Sequence, residues 1–229
     1  MYNFNKRNGE AVLLSFGKIE YLNLLPFHVF MKRHVRSAQR SKSMEHYKGV
    51  PSAINEKFAS RKVDAAFISS VNAKKYQNVG LGIIAKKDVL SVLVIPGETN
   101  KKDAASATSN VLADILGVKG EVLIGDKALK HYLEKKPHVD LAKAWNERCG
   151  LPFVFAVLCF HKNKKSYKNI ERKFLARKVK IPQYLLGQAS KKTNVTNKEI
   201  LNYLEYISYD LDYKAMKGLS LFYKMKKSL

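Results

Sequence analysis

Apolar runs alternate along the chain with segments whose apolar positions recur at helical spacing. Buried strands are predicted at residues 11–19 and 63–70, twice within LGIIAKKDVLSVLVIPG, at EVLI, and at LPFVFAVLCF. Helices are predicted at residues 25–33, 52–62, 71–76, 103–117, 164–178 and 197–207, and over ALKHYLEKK, LAKAWNERCG and YKAMKGLSLFYKMKK. Pro26 suits a first helical turn, and Gly117 and Gly150 suit helix ends.

Strands that alternate with helices are typical of α/β folds whose sheets are largely parallel. The alternation occurs in two series, and the second begins near residue 103. Ligands of such folds bind at the carboxyl ends of strands, where loops meet the first turns of helices. The pattern therefore predicts a two-lobed α/β protein with mixed, mostly parallel sheets and a cleft between the lobes.

Composition favours a globular protein in a reducing compartment. The chain has 229 residues, 46% of them hydrophobic, which is enough to bury a substantial core. The longest apolar run, residues 151–160, is too short for a membrane-spanning helix, and AVLLSF near the start is shorter than a signal-peptide core. Cys149 and Cys159 provide neither a disulfide framework nor a metal-ligand set. We expect a soluble, cytoplasmic protein without membrane contact.

The formal net charge of +23 raises the question of nucleic-acid binding. Lysines are scattered among apolar residues, with one dense basic stretch at residues 160–180, and no zinc-finger spacing, RNP-type motif or helix-turn-helix is found. Lysine suits a solvated surface or long-range attraction of anions better than base reading. We therefore expect no nucleic-acid partner and a weak attraction for an anionic substrate.

The motifs of common catalytic classes are absent: GxSxG, HExxH, GxxxxGK[ST], and a clustered metal-ligand set. No metal site is therefore predicted. What remains is a set of small polar residues at the junctions of strands and helices: Tyr21, Asn23, Ser69, Ser70, Ser91, Ser106, Thr108, Ser109, Gly125 and Asp126. Ser, Thr, Asn and Asp are also preferred caps and turn formers, so a purely structural role stays open for each.

Five strand ends with similar polar residues favour a shared anion-binding cleft, because hydroxyls and helix-start N–H groups bind carboxylates well. The residues alone therefore predict a small-anion binder, with no reaction specified. Asp126 could line this cleft or cap the helix at Ala128, and Tyr21 could line the cleft or pack. Trp145 and Phe153 are assigned to the core, because apolar residues surround them.

GKIEYLNLLPF, residues 17–27, resembles the N-terminal signature of the chorismate dehydratase family, which acts in the futalosine pathway of menaquinone biosynthesis. The likeness continues in order through VPSAINEKFASRKVDAAFISS, DVLSVLVIPG, ATSNVLADILG, IGDKAL and DLAKAWNERCGLPFVFAV. It covers nearly the whole chain. One departure is Ala107, where the family often carries a basic residue.

The resemblance implies a fold like that of the type II periplasmic solute-binding proteins, with lobe 1 at residues 1–95 and about 191–229, and lobe 2 at residues 96–190. It implies that the dianion chorismate loses water to give 3-[(1-carboxyvinyl)oxy]benzoate without a cofactor. By matching position, Asn23 would be catalytic or orienting, with Ser91 close by. The implied cleft lining is Tyr21, Ser69, Ser70, Ser106, Thr108, Ser109 and Asp126.

Three other functions remain open at this point. The sister enzyme that forms 1,4-dihydroxy-6-naphthoate shares the fold, but is usually longer and is expected to use a histidine base, which the matched loops lack. A non-catalytic binder of small anions is the second, although no secretion signal is found. A nucleic-acid-binding protein is the third, and it would show strong, salt-sensitive duplex binding.

Overall fold

The computed structural model describes residues 15–34 and 47–228. The first part of the chain contains β1 (Phe16–Ile19), a single 3-10 turn (Leu22–Leu24), α1 (Leu25–His34), β2 (Lys48–Gly49), α2 (Pro51–Ala59), β3 (Ala65–Ser69), α3 (Ser70–Ala73) and β4 (Gln77–Ala85). Residues 11–14 of the first predicted strand lie outside the described residues, as does most of the irregular stretch that follows α1.

The second part begins with β5 (Val92–Pro96), α4 (Ala107–Leu116), β6 (Gly120–Ile124), α5 (Gly125–Leu133), β7 (Val139–Asp140) and α6 (Leu141–Cys149). It continues with β8 (Phe153–Phe160), α7 (Lys164–Leu175), α8 (Gln183–Thr193), α9 (Asn197–Leu204), β9 (Ile207–Asp210) and α10 (Tyr213–Lys226). The pattern of apolar positions did not predict α8, β7 or β9. The last two are short, and α8 buries a single residue, Leu186.

Six strands form the main sheet in the order β2-β1-β3-β8-β4-β9. The strands β1 to β4 run in one direction, because β1 pairs parallel with β2 and β3, and β8 pairs antiparallel with both β3 and β4. The strands β8 and β9 run in the opposite direction. The predicted α/β fold with a mixed main sheet, in which one direction predominates, is confirmed.

Three strands form a second, smaller sheet in the order β6-β5-β7, and both of its pairs are antiparallel. For this sheet the prediction of mostly parallel strands is wrong. After β5 the chain turns back, so that Lys101 forms a parallel bridge with Glu121 of β6. The helix α4 therefore begins beside the start of β5, whereas β6 begins beside the end of β5.

The strand β8 lies in the main sheet, between β3 and β4. The predicted lobe boundaries, near residues 95 and 190, would assign β8 to the other lobe. That division remains a prediction. We propose from the sheet membership that lobe 2 comprises the smaller sheet with α4, α5 and α6, and that the chain returns to lobe 1 before Phe153.

Aromatic residues join the two sheets in a continuous core. The fully buried Trp145 of α6 meets Phe153 of β8 edge-on, with ring centroids 5.3 Å apart. Phe153 in turn meets Phe222 of α10 at 5.2 Å. The core positions predicted for Trp145 and Phe153 are therefore confirmed. Each helix in the described parts of the chain is too short or too polar to cross a bilayer.

Candidate functional site

A cavity of about 60 Å³ lies where the main sheet meets the smaller one. Predicted site residues contribute to its lining from both sides: Tyr21, Asn23, Ser69, Ser91, Ser106 and Ser109. Apolar residues supply most of the remainder, including Phe67 and Phe155. Among the described residues, no charged side chain and no histidine lines this cavity.

Five helical segments begin at the cavity. Tyr21 precedes the 3-10 turn that leads into α1, Ser69 precedes α3 and Ser106 precedes α4, while Pro51 and Gly125 are the first residues of α2 and α5. No side chain caps the first turn of α2 or α5. Helix starts carry partial positive charge and outward-facing N–H groups. The cavity can therefore hold an anion although no cation lines it.

Asn23 presents an unsatisfied acceptor. Its Oδ1 atom is buried and has no hydrogen-bond partner in the structure, although the residue faces the cavity. A buried polar atom without a partner costs about 1–3 kcal/mol, which a ligand donor would recover. The amide of Asn23 is therefore the side-chain group of the cavity with the strongest need for a ligand.

Three side chains from elsewhere hold the turn that carries Asn23. Asp126 accepts a hydrogen bond from the backbone N–H of Leu22 at 3.1 Å. His28 donates from Nε2 to the carbonyl of Ile19 at 2.7 Å. The hydroxyl of Tyr209 donates to the carbonyl of Asn23 itself at 2.6 Å. Asp126 and Tyr209 thus hold the turn itself, and His28 holds the end of β1 that leads into it.

Ser69 ends β3 and is held by Asn55 of α2. Asn55 donates from Nδ2 to Ser69 Oγ at 2.8 Å and accepts the Ser69 backbone N–H at 3.2 Å. Because Asn55 occupies an acceptor site of the serine oxygen, the hydroxyl proton of Ser69 stays available for a ligand. Asn55, 14 residues before Ser69 on a different element, falls at an expected place in the likeness to the chorismate dehydratase family, but the sequence assigns it no role.

Ser106 and Ser109 form a small relay at the start of α4. Ser106 Oγ caps the helix by accepting the Ser109 N–H at 3.2 Å, and it donates to Ser109 Oγ at 2.7 Å. This arrangement leaves the Ser109 hydroxyl proton free to donate into the cavity. The capping role and the cleft role predicted for Ser106 are therefore compatible.

Ser91, which precedes β5, shares a hydrogen bond of 2.8 Å with the hydroxyl of Tyr203. Both residues are buried. The Ser91 carbonyl also accepts the N–H of Gly125 at 2.8 Å, which joins the start of β5 to the start of α5. Tyr203 belongs to α9, far away in sequence, and no periodic pattern points to it.

Tyr21 lies against Gly125. A Cβ atom at position 125 would lie 2.8 Å from Tyr21 Cε1, and Gly125 has a φ of +68°, so a larger residue is excluded on two grounds. Burial, with a smaller contribution from Asp103 and Asp126, raises the pKa of Tyr21 to about 12. Tyr21 both lines the cavity and packs, and its hydroxyl is a hydrogen-bond donor rather than a base at neutral pH.

Ser70, Thr108 and Asp126 are not among the lining residues of this cavity, and their place in the cleft stays a prediction. Ser70 donates to the carbonyl of Val154 at 2.6 Å, and Thr108 accepts the N–H of Val71 at 3.2 Å. Asp126 neither caps its own helix nor faces the cavity, because its carboxylate accepts the Leu22 N–H. All three use their polar atoms within the protein.

The reason is geometric. Ser69 ends the strand β3 whereas Ser70 is the first residue of α3, so their side chains leave the chain in different directions and only Ser69 reaches the cavity. On a helix, residues three apart share a face whereas adjacent ones do not, which separates Ser106 and Ser109 from Thr108. In the described parts of the chain, no three His, Cys, Asp or Glu side chains are placed to share a metal ion.

The family model described as "Menaquinone biosynthesis" matches residues 14–119 and 112–228. The chain belongs to this family. It is also 44% identical over 218 residues to a curated relative from Campylobacter jejuni named "Chorismate dehydratase", with 93% of this chain and 98% of the relative covered.

Solved structures agree on the fold. A protein from Archaeoglobus fulgidus superposes with a TM-score of 0.69 at 13% identity, covering 94% of this chain and 97% of its own. A Candida albicans protein, described as having the generic periplasmic-binding-protein fold, superposes with a TM-score of 0.52 at 11% identity, covering 96% of this chain and 91% of its own. The predicted fold resembling periplasmic binding proteins is confirmed.

Proposed function

We propose that this protein is a cytoplasmic chorismate dehydratase, a hydro-lyase that converts chorismate to 3-[(1-carboxyvinyl)oxy]benzoate and water. The observation that carries this proposal is the 44% identity to a chorismate dehydratase over 98% of that relative's length. The site supports it independently, because five helix starts and several hydroxyl groups converge on a cavity without cationic side chains. Such groups suit a substrate with two carboxylates.

The reaction removes the ring proton at C3 and the hydroxyl at C4. The electron pair of the C3–H bond forms the new ring double bond as the C4–O bond breaks, and the ring becomes aromatic. Aromatisation supplies much of the driving force, so the protein chiefly orients the substrate and stabilises developing charge. No cofactor enters this scheme.

The cavity lining bears most directly on which group is the base that removes the C3 proton. Its described residues include no carboxylate, histidine or lysine, and the pKa of Tyr21 is raised to about 12 by burial. We assign the base to the substrate's own enolpyruvyl carboxylate, which lies beside C3. The proton it takes leaves with the C4 hydroxyl as water, so the protein gains and loses none.

Individual side chains have separate roles in this proposal. Asn23 is a neutral amide that cannot take a proton at ordinary pH, and it orients the reacting part of the substrate. Ser91 lies at the same cavity and assists it. Ser69 and Ser109, whose hydroxyl protons are available, hold the substrate carboxylates together with the helix starts.

Substrate entry requires the cavity to enlarge. Ligand pockets usually measure about 300–1,000 Å³, and this cavity measures about 60 Å³. The protein would therefore open between its two sheets to admit chorismate and close again around it. Closure excludes water and strengthens the electrostatic contacts within the site.

The sister enzyme that forms 1,4-dihydroxy-6-naphthoate is disfavoured, because it is expected to use a histidine and none lines the described cavity. The deciding experiment is incubation of purified protein with chorismate, with the aromatic product followed by absorbance and mass spectrometry. We expect stoichiometric conversion. Persistence of chorismate, combined with saturable binding by calorimetry, would instead identify a non-catalytic anion binder.

A further inference from the structure

Two tyrosines from the C-terminal part of the chain, the buried Tyr203 and the partly buried Tyr209, contact the two residues assigned to the reaction. The hydroxyl of Tyr209, on β9, donates to the Asn23 carbonyl at 2.6 Å. The hydroxyl of Tyr203, at the end of α9, shares a hydrogen bond of 2.8 Å with Ser91 Oγ. Neither tyrosine is among the described residues that line the cavity.

Tyr209 is itself firmly held. It belongs to β9, whose neighbouring residues pair with β4 at Ile84↔Ser208 and Leu81↔Asp210. Its ring meets that of Phe174 edge-on at 5.2 Å. Burial raises the pKa of Tyr209 well above its ordinary value, so the hydroxyl keeps its proton and remains a donor.

A hydrogen bond to the Asn23 carbonyl fixes the peptide plane that follows Asn23. The direction of the Asn23 side chain depends on that backbone, and its Oδ1 has no hydrogen-bond partner among the described residues. Orientation errors of about 1 Å at a reacting centre can cost on the order of a hundredfold in rate. The backbone contact is therefore the means by which a residue outside the cavity controls the amide.

We propose that Tyr209 and Tyr203 are positioning residues, which hold Asn23 and Ser91 in their productive geometry from behind the cavity. This inference rests on the proposed function, because its effect appears in the turnover of chorismate. The segment from α9 to β9 would then contribute to turnover by positioning residues of the cavity.

The test compares Tyr209→Phe and Tyr203→Phe with Tyr206→Phe, a change at an exposed position between them. Tyr206 is 42% exposed and does not line the cavity, so its variant is the matched control. We expect Y209F to lower kcat about tenfold and leave KM within threefold of wild type, because it disturbs orientation rather than binding. We expect the same pattern, with a smaller fall, for Y203F, and wild-type values for Y206F.

Loss of a hydroxyl that is hydrogen-bonded in the interior can also destabilise the fold, so Ile170→Val on helix α7, at a buried position that does not line the cavity, serves as a stability control. Turnover is measured well below the melting temperature of each variant. A fall in kcat for Y209F of less than threefold, a fall that I170V shares, or a change confined to KM would overturn the inference. If wild type forms no aromatic product, the proposed function fails and this inference fails with it. If wild type forms the product and Y209F turns over chorismate at the wild-type rate, this inference is overturned and the proposed function stands.

Discussion

Two cavities in this protein differ in size, charge and bonding. The proposed site measures about 60 Å³ and is lined by apolar residues, hydroxyls and one amide. A second cavity, beside β7 and α6, measures about 330 Å³ and is lined by charged groups of both signs. Asp88, Asp140, Lys143 and Glu147 all contribute to it. By size and charge alone, the second cavity would be the more obvious binding site.

The hydrogen bonding of the polar groups instead favours the smaller cavity as the binding site. In the second cavity Asp140 accepts four backbone N–H groups, from Val89, Leu90, Ala142 and Lys143, at distances from 2.8 to 3.1 Å. Its carboxylate is satisfied by the protein and fixes the junction of β7 and α6. In the proposed site, Asn23 Oδ1 is buried and unsatisfied. An unsatisfied buried polar atom at the lining therefore separates the smaller cavity from the second one, where none of the described lining residues carries such an atom.

The largest effect should come from breaking the structural carboxylate of the second cavity. Asp140→Ala removes the acceptor of four backbone donors and leaves them in a buried region. We expect the free energy of unfolding to fall by about 3–4 kcal/mol, measured by urea denaturation. The control is Glu147→Ala, at an exposed position of the same cavity, which should change stability by less than about 0.5 kcal/mol. Equal stability of the two variants would contradict the assignment.

The second largest effect should come from the unsatisfied amide. Asn23→Ala is expected to lower kcat with chorismate about a hundredfold, equivalent to about 2.7 kcal/mol of transition-state stabilisation. Stability should change little or increase, because the substitution removes an unpaired buried oxygen. Lys143→Ala in the second cavity is the matched control and should leave kcat/KM unchanged. Unchanged turnover of N23A would remove Asn23 from the mechanism.

How far the sequence predicts these features depends on how local they are. The strand and helix patterns predict most elements. The placement of polar residues at the ends of strands and the starts of helices predicts that Asn23, Ser69, Ser91 and Ser106 line a cavity. Which of the adjacent Ser69 and Ser70 faces the cavity depends on where β3 ends and α3 begins, and on the register of β3 relative to the cavity. The order of residues alone does not set that register.

Contacts between distant segments lie beyond local patterns. The bond from Tyr209 to Asn23 joins residues 186 positions apart, and that from Leu22 to Asp126 joins residues 104 apart. Both depend on which faces the fold brings together. The antiparallel smaller sheet was missed for a similar reason, because a turn after β5 reverses the chain before α4 begins. The spacing of apolar residues along the sequence does not indicate such a reversal of the chain.

An intermediate effect is expected at the residue that holds Ser69. Asn55→Ala removes both hydrogen bonds to Ser69, so its hydroxyl loses a fixed direction. We expect kcat/KM to fall about tenfold and the free energy of unfolding to fall by about 1–2 kcal/mol. Asn78→Ala, on the exposed part of β4, is the control and should change neither quantity. A stability loss without any kinetic effect would show that Ser69 does not contact the substrate.

The smallest effect concerns Asp126, the partly buried carboxylate near the proposed site, which among the described residues accepts the Leu22 N–H alone where Asp140 accepts four donors. Burial raises the pKa of Asp126 above its ordinary value of 3.8, and the Leu22 hydrogen bond and Lys192 only partly oppose this. Above pH 3.8 the folded protein therefore holds this proton more tightly than the unfolded chain does. The contribution of Asp126 to stability must then fall as the pH rises through the raised pKa.

Asp126→Asn does not titrate, and its amide oxygen can still accept the Leu22 N–H. The stability of D126N minus that of wild type should increase as the pH rises above 3.8 and through the raised pKa of Asp126. Urea denaturation of both proteins at a series of pH values measures this difference directly. A difference that is flat, or that shrinks with rising pH, would mean that the single hydrogen bond outweighs burial. Asp126 and Asp140 would then differ only in the number of hydrogen bonds that each carboxylate accepts.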